Sequence, residues 1–237
     1  MPAFRYALEL GAGALEMDAH ITADGKIVIS HDPDGARLAG VRAAIRDTQC
    51  SDVQRWDLGK NFLGPGGERF SGRGYRIPTL EEVLVELPNV PINIDIKQHK
   101  PSMVEPLLSL LRRLRVEERV LLASFDSRTL GEVRRAHYAG PTALGQRELM
   151  GLLLLPGAVL SLMPHRGDAA QIPTHAGRIP LGTRRVIDKC HELGLRVDYW
   201  TVNDPDEARR LLDLGADGIM TDDVRRIAPV FRERAGR

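Results

Sequence analysis

The stretch Ala14-Leu-Glu-Met-Asp-Ala-His20 gives the clearest indication of how the chain folds and of where its polar side chains gather. Its alternation of apolar and polar residues predicts a short strand. Because successive side chains of a strand point to opposite faces, Glu16, Asp18 and His20 share one face. Ionised carboxylates are costly to bury without compensation, and hard cations such as Mg2+ and Ca2+ prefer carboxylate oxygens. The pattern therefore predicts a divalent-cation site, with a solvated edge strand as the alternative.

Beyond this stretch, short apolar segments alternate with amphipathic helices along the chain. That order is typical of a parallel sheet wrapped by helices. Residues 26–31 follow the turn Asp24-Gly25 and predict an antiparallel hairpin partner for the first strand. Thr79 and Glu82 have the spacing of a capping box and predict a helix start. The predicted parallel strands are 15–21, 92–97, 120–125, 143–146, 159–163, 196–202 and 218–221.

Seven parallel strands are one fewer than the eight that close a (β/α)8 barrel. We therefore predict an α/β fold, a (β/α)8 TIM-type barrel missing strand 1, as a single domain over residues 1–237. Residues 32–75 are Gly-rich and polar, with a modest helical stretch near residues 51–58, and are predicted as an insertion after strand 2 of the complete barrel. Long excursions of this kind usually lie over a functional site.

The composition is that of an ordinary globular protein, with 43% hydrophobic and 27% charged residues among 237. A formal net charge of +1 gives no electrostatic case for nucleic acid or for an acidic membrane surface. The sequence contains no signal-peptide pattern and no apolar run long enough to span a bilayer. Cys50 and Cys190 have neither CxxC nor metal-ligand spacing. We expect a cytoplasmic protein, and the oligomeric state stays open.

A second strand repeats the spacing of the first. Asp95 and Lys97 stand two residues apart in the segment 92–97, so they share a face. In a (β/α)8 barrel the reactive groups cluster at the carboxyl ends of the strands. We therefore expect Asp95 to join Glu16 and Asp18 around one cation, while Lys97 supplies positive charge for a phosphate. An internal ion pair between Asp95 and Lys97 is the alternative.

His31 ends the return strand of the predicted hairpin and is followed by Asp32-Pro33. An imidazole close to a metal ion and a phosphate is a candidate general acid that protonates a leaving group. A histidine at a strand end is also commonly structural, and position alone does not separate the two interpretations.

Seven motifs follow one another along the chain: Glu16-Met17-Asp18, His31-Asp32-Pro33, Ile77-Pro78-Thr79-Leu80-Glu81-Glu82, Asn93-Ile94-Asp95-Ile96-Lys97, Ser124-Phe125-Asp126, Trp200-Thr201-Val202-Asn203 and Gly218-Ile219-Met220-Thr221-Asp222. In order and approximate spacing they resemble the glycerophosphodiester phosphodiesterase domain, over essentially the whole chain. The resemblance implies a (β/α)8 barrel with an insertion. It also implies metal-dependent hydrolysis of a small-molecule glycerophosphodiester to glycerol 3-phosphate and an alcohol.

In the chemistry that the resemblance implies, the glycerol hydroxyl next to the phosphate attacks phosphorus, with two histidines as base and acid. One departure concerns Asp95, whose place in the family is usually held by glutamate. The shorter side chain reduces the reach to the cation or requires a bridging water. The roles implied are ligation of Mg2+ or Ca2+ by Glu16, Asp18 and Asp95, proton donation by His31, and substrate binding by Lys97 and Trp200.

A second departure concerns the segment ahead of the first helix. In the family, a strand ending in His-Arg-Gly and a Pro-Glu-Asn-Thr stretch lead into a helix like residues 2–10, and neither precedes that helix here. They supply the family's general base, a phosphate-contacting arginine and a further metal ligand. We therefore expect Met1 to be an internal methionine of a longer reading frame or a trimmed start. The chain as written is expected to be weakly active or inactive, because loss of an acid–base partner removes about 10²–10⁴-fold of rate.

Two other functions stay open. A phospholipase-D-like lyase on the same barrel would release a cyclic phosphate, which phosphorus NMR detects. A non-catalytic barrel that binds a phosphorylated metabolite would explain the absent histidine, although the presence of Glu16, Asp18, His31 and Lys97 argues against it.

Overall fold

The computed structural model describes residues 1–64, 66–155 and 167–236. The helices are α1 (Pro2–Glu9), α2 (Ala36–Ala39), α3 (Cys50–Val53), α4 (Leu80–Glu86), α5 (Val104–Leu114), α6 (Ser127–Arg135), α7 (Gln146–Leu154), α8 (Arg184–Glu192), α9 (Pro205–Asp213) and α10 (Val224–Ala235), with 3-10 turns at Ile45–Asp47 and Glu117–Arg119. The strands are β1 (Leu15–Ile21), β2 (Ile27–Ile29), β3 (Asp34–Gly35), β4 (Val41–Ala44), β5 (Ile92–Ile96), β6 (Val120–Ala123), β7 (Ala169–Pro173), β8 (His175–Ala176), β9 (Ile179–Pro180), β10 (Arg196–Trp200) and β11 (Gly218–Ile219).

The parallel strands form two sheets with the orders β2-β1-β5-β6 and β11-β10-β7. Two parallel bridges, Leu122 with Thr142 and Ala143 with Ala169, connect these sheets through a two-residue segment. Among the described residues, seven parallel segments therefore follow one another around the fold in chain order, with β2 as the antiparallel partner of β1. Within the described residues, β11 pairs only with β10, so hydrogen bonding does not close the sheet.

Strand β1 forms because its two faces meet different surroundings. Met17, Ala19 and Ile21 lie in one hydrophobic core with residues of α4 and α5. Burying a large aliphatic side chain contributes about 1.5–3 kcal/mol relative to leaving it exposed. The core side of β1 therefore fixes the register, since a slip of one residue would bury the carboxylates instead. Glu16 and Asp18 are left on the opposite face, as the alternation predicts.

Helix α4 begins with the predicted capping box. The Thr79 hydroxyl accepts a hydrogen bond from Glu82 N, and the Glu82 carboxylate accepts one from Thr79 N. These two bonds satisfy backbone donors that the first turn of a helix otherwise leaves free. The helix then buries Leu80, Val83 and Leu84 against the strands.

The middle of the chain departs from the predicted element order. The strand predicted over residues 143–146 is reduced to the bridging pair Thr142 and Ala143, because α7 already begins at Gln146. The strand predicted over residues 159–163 lies outside the described residues. Strand β7 lies in a segment for which the sequence predicts no strand. Its sequence, Ala-Ala-Gln-Ile-Pro, is too short and too poor in β-branched residues to indicate a strand.

The insertion contains more structure than predicted. The helix predicted near residues 51–58 is shorter in the structure, where it is α3. The insertion also contains the β3–β4 hairpin and α2. Gly35 lies directly under the Trp56 ring, where a Cβ atom would come within 2.7 Å of a ring carbon. The insertion thus forms a small hydrophobic core together with β2 and the segment that precedes α4, made of Val28, Ala39, Ile45, Cys50, Val53, Trp56 and Ile77.

Candidate active site

The polar groups of β1 and β5 come together on the face turned away from the helices. The two strands are parallel neighbours, with Asp18 in register with Asp95 and Glu16 in register with Asn93. Because side chains two residues apart share a face, Lys97 follows Asp95 on this surface. The sequence prediction that these charged groups share one face is confirmed.

Lys97 lies between two carboxylates. Its Nζ is 2.9 Å from Asp18 Oδ1 and 2.7 Å from Asp95 Oδ2, with Asp18 and Asp95 largely buried. Burial opposes the charged ammonium, but hydrogen bonds to Asp95 and Asp18 outweigh it and raise the pKa of Lys97. The lysine therefore stays protonated and is held in one place by two strands.

Two of the three carboxyl groups have raised pKa values. Burial is the main reason for the raised pKa of Asp95, and the Lys97 contact only partly offsets it. Glu16 keeps accessible surface, yet desolvation by the surrounding protein raises its pKa to about 7, and the charges of Asp18 and Asp95 add to the effect. Three carboxyl groups around one ammonium therefore leave excess negative charge at this point.

The three carboxyl groups form at most part of a divalent-cation site. Within the described parts of the chain, no three His, Cys, Asp or Glu side chains are grouped so that they could hold a metal ion. Glu16, Asp18 and Asp95 thus form no closed ligand set in this arrangement, because the Lys97 nitrogen lies between Asp18 and Asp95. The donor chemistry does fit a hard cation, since Asp95 Oδ1 is buried with no hydrogen-bond partner among the described residues. Metal ligation by these residues stays a prediction.

His31 lies at the end of β2 with an exposed ring. Its Nδ1 is 2.9 Å from Asp32 Oδ1, and Asp32 Oδ2 accepts a hydrogen bond from Arg37 Nε at 2.6 Å. Burial opposes ionisation of Asp32, but the hydrogen bonds from Arg37 and His31 lower its pKa. An ionised carboxylate only accepts, so Nδ1 carries the proton and Nε2 is left to exchange one with a substrate.

Trp200 reaches the same region from β10. Its ring makes an edge-on contact with Phe125, at 5.8 Å between centroids, and Lys97 Nζ is 5.3 Å from the centroid of Phe125. Residues from the ends of β5, β6 and β10 therefore meet at one place. Lys97 and Trp200 thus both lie beside Phe125, and their shared role in substrate binding stays a prediction.

Sequence reasoning missed the position of Phe125, although the Ser124-Phe125-Asp126 motif contained it. The Ser124 hydroxyl donates to Ile96 O at 2.9 Å and accepts from Asp126 N, which fixes the turn after β6. Asp126 then caps α6 by accepting from Arg128 N. The turn leaves Phe125 59% exposed beside Lys97, and only this exposure distinguishes it from an ordinary core aromatic.

A cavity of about 480 Å3 adjoins Lys97 on the side of β6 and α7. Its charged lining residues come from separate loops, so no sequence motif indicated that they lie together. The lining residues are Asp95, Ile96, Lys97, His99, Ser124, Phe125, Asp126, Ser127, Arg128, Gln146 and Arg147.

The last of the seven sequence motifs, residues 218–222, has a structural role. Asn203 Oδ1 accepts hydrogen bonds from the Thr221 hydroxyl and from Asp222 N, and Asn203 Nδ2 donates to Asp222. These bonds tie the loop after β10 to the loop after β11. A His-Arg-Gly tripeptide does occur in the sequence at residues 165–167, but His165 and Arg166 lie outside the described residues.

Parallel strands wrapped by helices, with carboxylates, a lysine and an aromatic pair gathered at the strand ends, define the class of (β/α) barrel enzymes. The model of the Glycerophosphoryl diester phosphodiesterase family matches residues 1–226. The chain belongs to this family, whose members are phosphoric diester hydrolases. The family predicted from the seven sequence motifs is confirmed.

Individual relatives agree with the family assignment. The chain is 34% identical over 231 residues to "Probable glycerophosphodiester phosphodiesterase 2" of Mycobacterium tuberculosis, covering 94% of this chain and 80% of the relative. The glycerophosphodiester phosphodiesterase structure from Thermotoga maritima superposes with a TM-score of 0.71 at 24% identity, covering 98% of this chain and 90% of that one. An Oleispira antarctica phosphodiesterase, solved with its product sn-glycerol-3-phosphate, gives a TM-score of 0.74 at 18% identity, with coverages of 97% and 90%. The TIM-barrel fold of such structures confirms the predicted fold class.

Proposed function

We propose that this chain is the catalytic barrel of a metal-dependent glycerophosphodiesterase, which cleaves glycerophosphodiesters to glycerol 3-phosphate and an alcohol. The observation that carries the proposal is Lys97 Nζ, fixed between Asp18 and Asp95 at 2.9 and 2.7 Å. An ammonium with two of its donors occupied by carboxylates still has a third N–H to offer a phosphate oxygen. The product complex of the Oleispira antarctica relative supports glycerol 3-phosphate as the ligand class.

The other site residues have roles that follow from their surroundings. In its doubly protonated form, His31 donates the Nε2 proton to the departing oxygen, while Asp32 accepts the Nδ1–H hydrogen bond and holds the ring in place. Trp200 and Phe125 form an apolar wall that positions the carbon part of the substrate next to Lys97.

Glu16, Asp18 and Asp95 are the residues that would hold Mg2+ or Ca2+. A bound divalent cation supplies charge neutralisation and polarisation of the phosphoryl oxygens. Support for this part of the proposal is the uncompensated charge: three carboxyl groups against one ammonium, with Asp95 Oδ1 lacking a partner among the described residues. Proton release from Glu16, whose pKa is about 7, would accompany ligation.

The test separates phosphate binding from metal binding and does not depend on fast turnover. Isothermal titration calorimetry with glycerol 3-phosphate and, separately, with Mg2+ or Ca2+ is run on the wild type and two variants. Lys97→Met is expected to weaken glycerol 3-phosphate binding at least tenfold and to strengthen cation binding, because it removes the ammonium that lies between Asp18 and Asp95. Glu16→Ala is expected to weaken cation binding. Unchanged glycerol 3-phosphate affinity in Lys97→Met would contradict the proposal.

Product analysis decides between the reactions. Phosphorus NMR of glycerophosphocholine incubated with the chain is expected to accumulate glycerol 3-phosphate slowly. A persistent cyclic phosphate would instead establish the lyase reaction. Ligand binding with neither product would favour a non-catalytic barrel.

A cytoplasmic location is part of the proposal. Both cysteines, Cys50 and Cys190, are free thiols buried in the protein. Unpaired buried cysteines are typical of proteins that work in a reducing compartment. Within the described residues, none of the helices has the length and apolar character needed to cross a bilayer.

A further inference from the structure

One tip of the insertion exposes two large apolar side chains. Phe62 is 48% exposed and Leu63 is 63% exposed, far more than the residues that form the insertion's small core. Three cationic side chains, all exposed, surround them in the sequence. We define this tip by the residues Lys60, Phe62, Leu63, Arg69 and Arg73.

Contacts among the described residues of the tip hold Phe62 and Leu63 in their exposed positions. Leu63 and Arg69 form an antiparallel bridge that closes a small hairpin. The Phe62 ring makes an edge-on contact with Phe70 at 5.1 Å, and the Arg73 guanidinium lies 4.7 Å over the same Phe70 ring. Phe70 therefore anchors the tip from below and leaves Phe62 and Leu63 facing outward.

The basic side chains of the tip outnumber the acidic ones, and the acidic ones are hydrogen-bonded within the loop. Asp57 accepts three hydrogen bonds from the loop itself, and Glu68 accepts one from a backbone N–H, so both carboxylates are bound internally. Among the residues that the structure describes, Lys60, Arg69 and Arg73 form no ion pair. The loop from Asp57 to Arg73 thus holds three basic and two acidic side chains, and only the basic ones make no side-chain ion pair or hydrogen bond to the loop backbone among the described residues.

The tip adjoins the candidate active site. Asn61 Nδ2 donates to Arg37 O at 3.0 Å, and Arg37 Nε donates to Asp32 at 2.6 Å. Asp32 in turn contacts Nδ1 of His31 at 2.9 Å. Three hydrogen bonds thus connect the residue beside Phe62 to the candidate general acid.

We propose that this tip docks the protein on an anionic phospholipid bilayer. Aromatic and aliphatic side chains flanked by lysine and arginine are the combination that inserts at the headgroup boundary of a bilayer with anionic lipids. A protein partner fits the tip less well, because specific protein interfaces bury roughly 800 Å2 per partner and two apolar side chains cannot supply that area. The inference depends only on the tip and holds whatever reaction the site performs.

Sedimentation with sucrose-loaded vesicles tests the proposal on the full chain. Vesicles of phosphatidylcholine with 30% phosphatidylglycerol are expected to pellet the protein, while phosphatidylcholine alone is expected to pellet far less. Lys60→Gln is expected to weaken the partition coefficient about fivefold, since each basic residue near an anionic surface contributes on the order of 1 kcal/mol. Leu63→Ser is expected to weaken it at least threefold.

Matched surface variants provide the controls. Val85 is 60% exposed on α4, almost equal to the 63% of Leu63, so Val85→Ser removes a comparable apolar side chain elsewhere. Lys26→Gln removes an exposed lysine outside the insertion. Both are expected to bind anionic vesicles like the wild type. Equal losses in the control and tip variants would overturn the proposal, as would a wild-type chain that stays in the supernatant with anionic vesicles.

Discussion

Two strands of this fold carry an acidic and a basic residue two positions apart, and the two pairs have different surroundings. On β10, Arg196 Nε contacts both oxygens of Asp198, at 2.9 and 3.1 Å. On β5, Lys97 contacts only one oxygen of Asp95 and shares its charge with Asp18. The first pair is balanced one to one, whereas the second leaves a buried Asp95 oxygen without a partner among the described residues.

Spacing in the sequence therefore does not distinguish a structural ion pair from one that belongs to a functional site. Both pairs follow the same every-second-residue pattern, and burial raises the pKa of the aspartate in each. The neighbouring strand makes the difference. Beside Asp198, β11 contributes Gly218, whereas beside Asp95, β1 contributes the further carboxylate Asp18. Perturbed and unbalanced charge at a strand end therefore points to a functional site more than the every-second-residue spacing does.

The largest expected effect comes from Lys97→Met. Removing the fixed positive charge that we propose binds the substrate phosphate is expected to lower any measured kcat/KM about 10²–10³-fold, the usual loss for one electrostatic donor. Phosphorus NMR rates with glycerophosphocholine measure it. The matched change on the balanced pair, Arg196→Met, is expected to leave kcat/KM within about threefold. Similar rate losses in both variants would remove the distinction between the pairs.

Arg196→Met is expected to act on stability instead. It leaves Asp198, which is 7% exposed, without its hydrogen-bonding partner. An unpaired buried acceptor costs about 1–3 kcal/mol, and the partly exposed arginine places the expected loss within that range. Urea unfolding followed by circular dichroism gives the free energy. The double variant Arg196→Met/Asp198→Leu, which removes both charges, is expected to recover part of the loss.

Thr79→Ala tests whether the elements behind β1 and β5 only support the site. The substitution removes the side-chain acceptor that caps α4 and is expected to lower the free energy of unfolding by about 1 kcal/mol. Because α4 packs on the face opposite the carboxylates, the affinity for glycerol 3-phosphate is expected to stay unchanged. Thr79→Ser keeps the hydroxyl and is the control. A loss of affinity without a loss of stability would contradict this view.

Much of the site could be predicted because its residues lie at strand ends with a period of two. Glu16, Asp18, Asp95 and Lys97 were placed on one face by that period alone, and the register of β1 on β5 then brought them together. Strand spacing could not show that Lys97 lies near Trp200. Both side chains contact Phe125, which lies in the turn between β6 and α6. Turn geometry depends on contacts far apart in sequence, such as the hydrogen bond from Ser124 to Ile96 O.

The fold was predictable to a similar degree. Strong apolar alternation identified β1 and β5, whereas β7 and the Thr142–Ala143 bridge have almost no local signal. In β7, Ala170 and Ile172 are buried by helices that the chain supplies later, so tertiary packing decides the structure. The small core of the insertion was missed for the same reason, since its members are spread from Val28 to Ile77.

The smallest effect is a pH dependence that the unbalanced pair should show. In the folded chain the pKa of Glu16 is raised from 4.5 to about 7 by desolvation and by Asp18 and Asp95. The folded state therefore retains a proton that the unfolded chain releases between these pH values, so stability falls as the pH rises toward 7. Glu16→Gln removes this titration. In chelator, the variant is expected to melt roughly 2–4 °C above the wild type at pH 8, the shift that about 1 kcal/mol gives at this chain length.

The same variant near pH 4.5 should melt like the wild type, because Glu16 is then protonated in the folded chain. Adding Mg2+ or Ca2+ at pH 8 should reverse the order, since the wild type gains a stabilising ligand through the carboxylate that the variant lacks. A Glu16→Gln chain that is less stable than the wild type at pH 8 in chelator would show that the negative charges around Lys97 are already balanced. In that case the carboxylates would be a structural ion-pair cluster like Arg196 and Asp198, and the argument for a cation would fail.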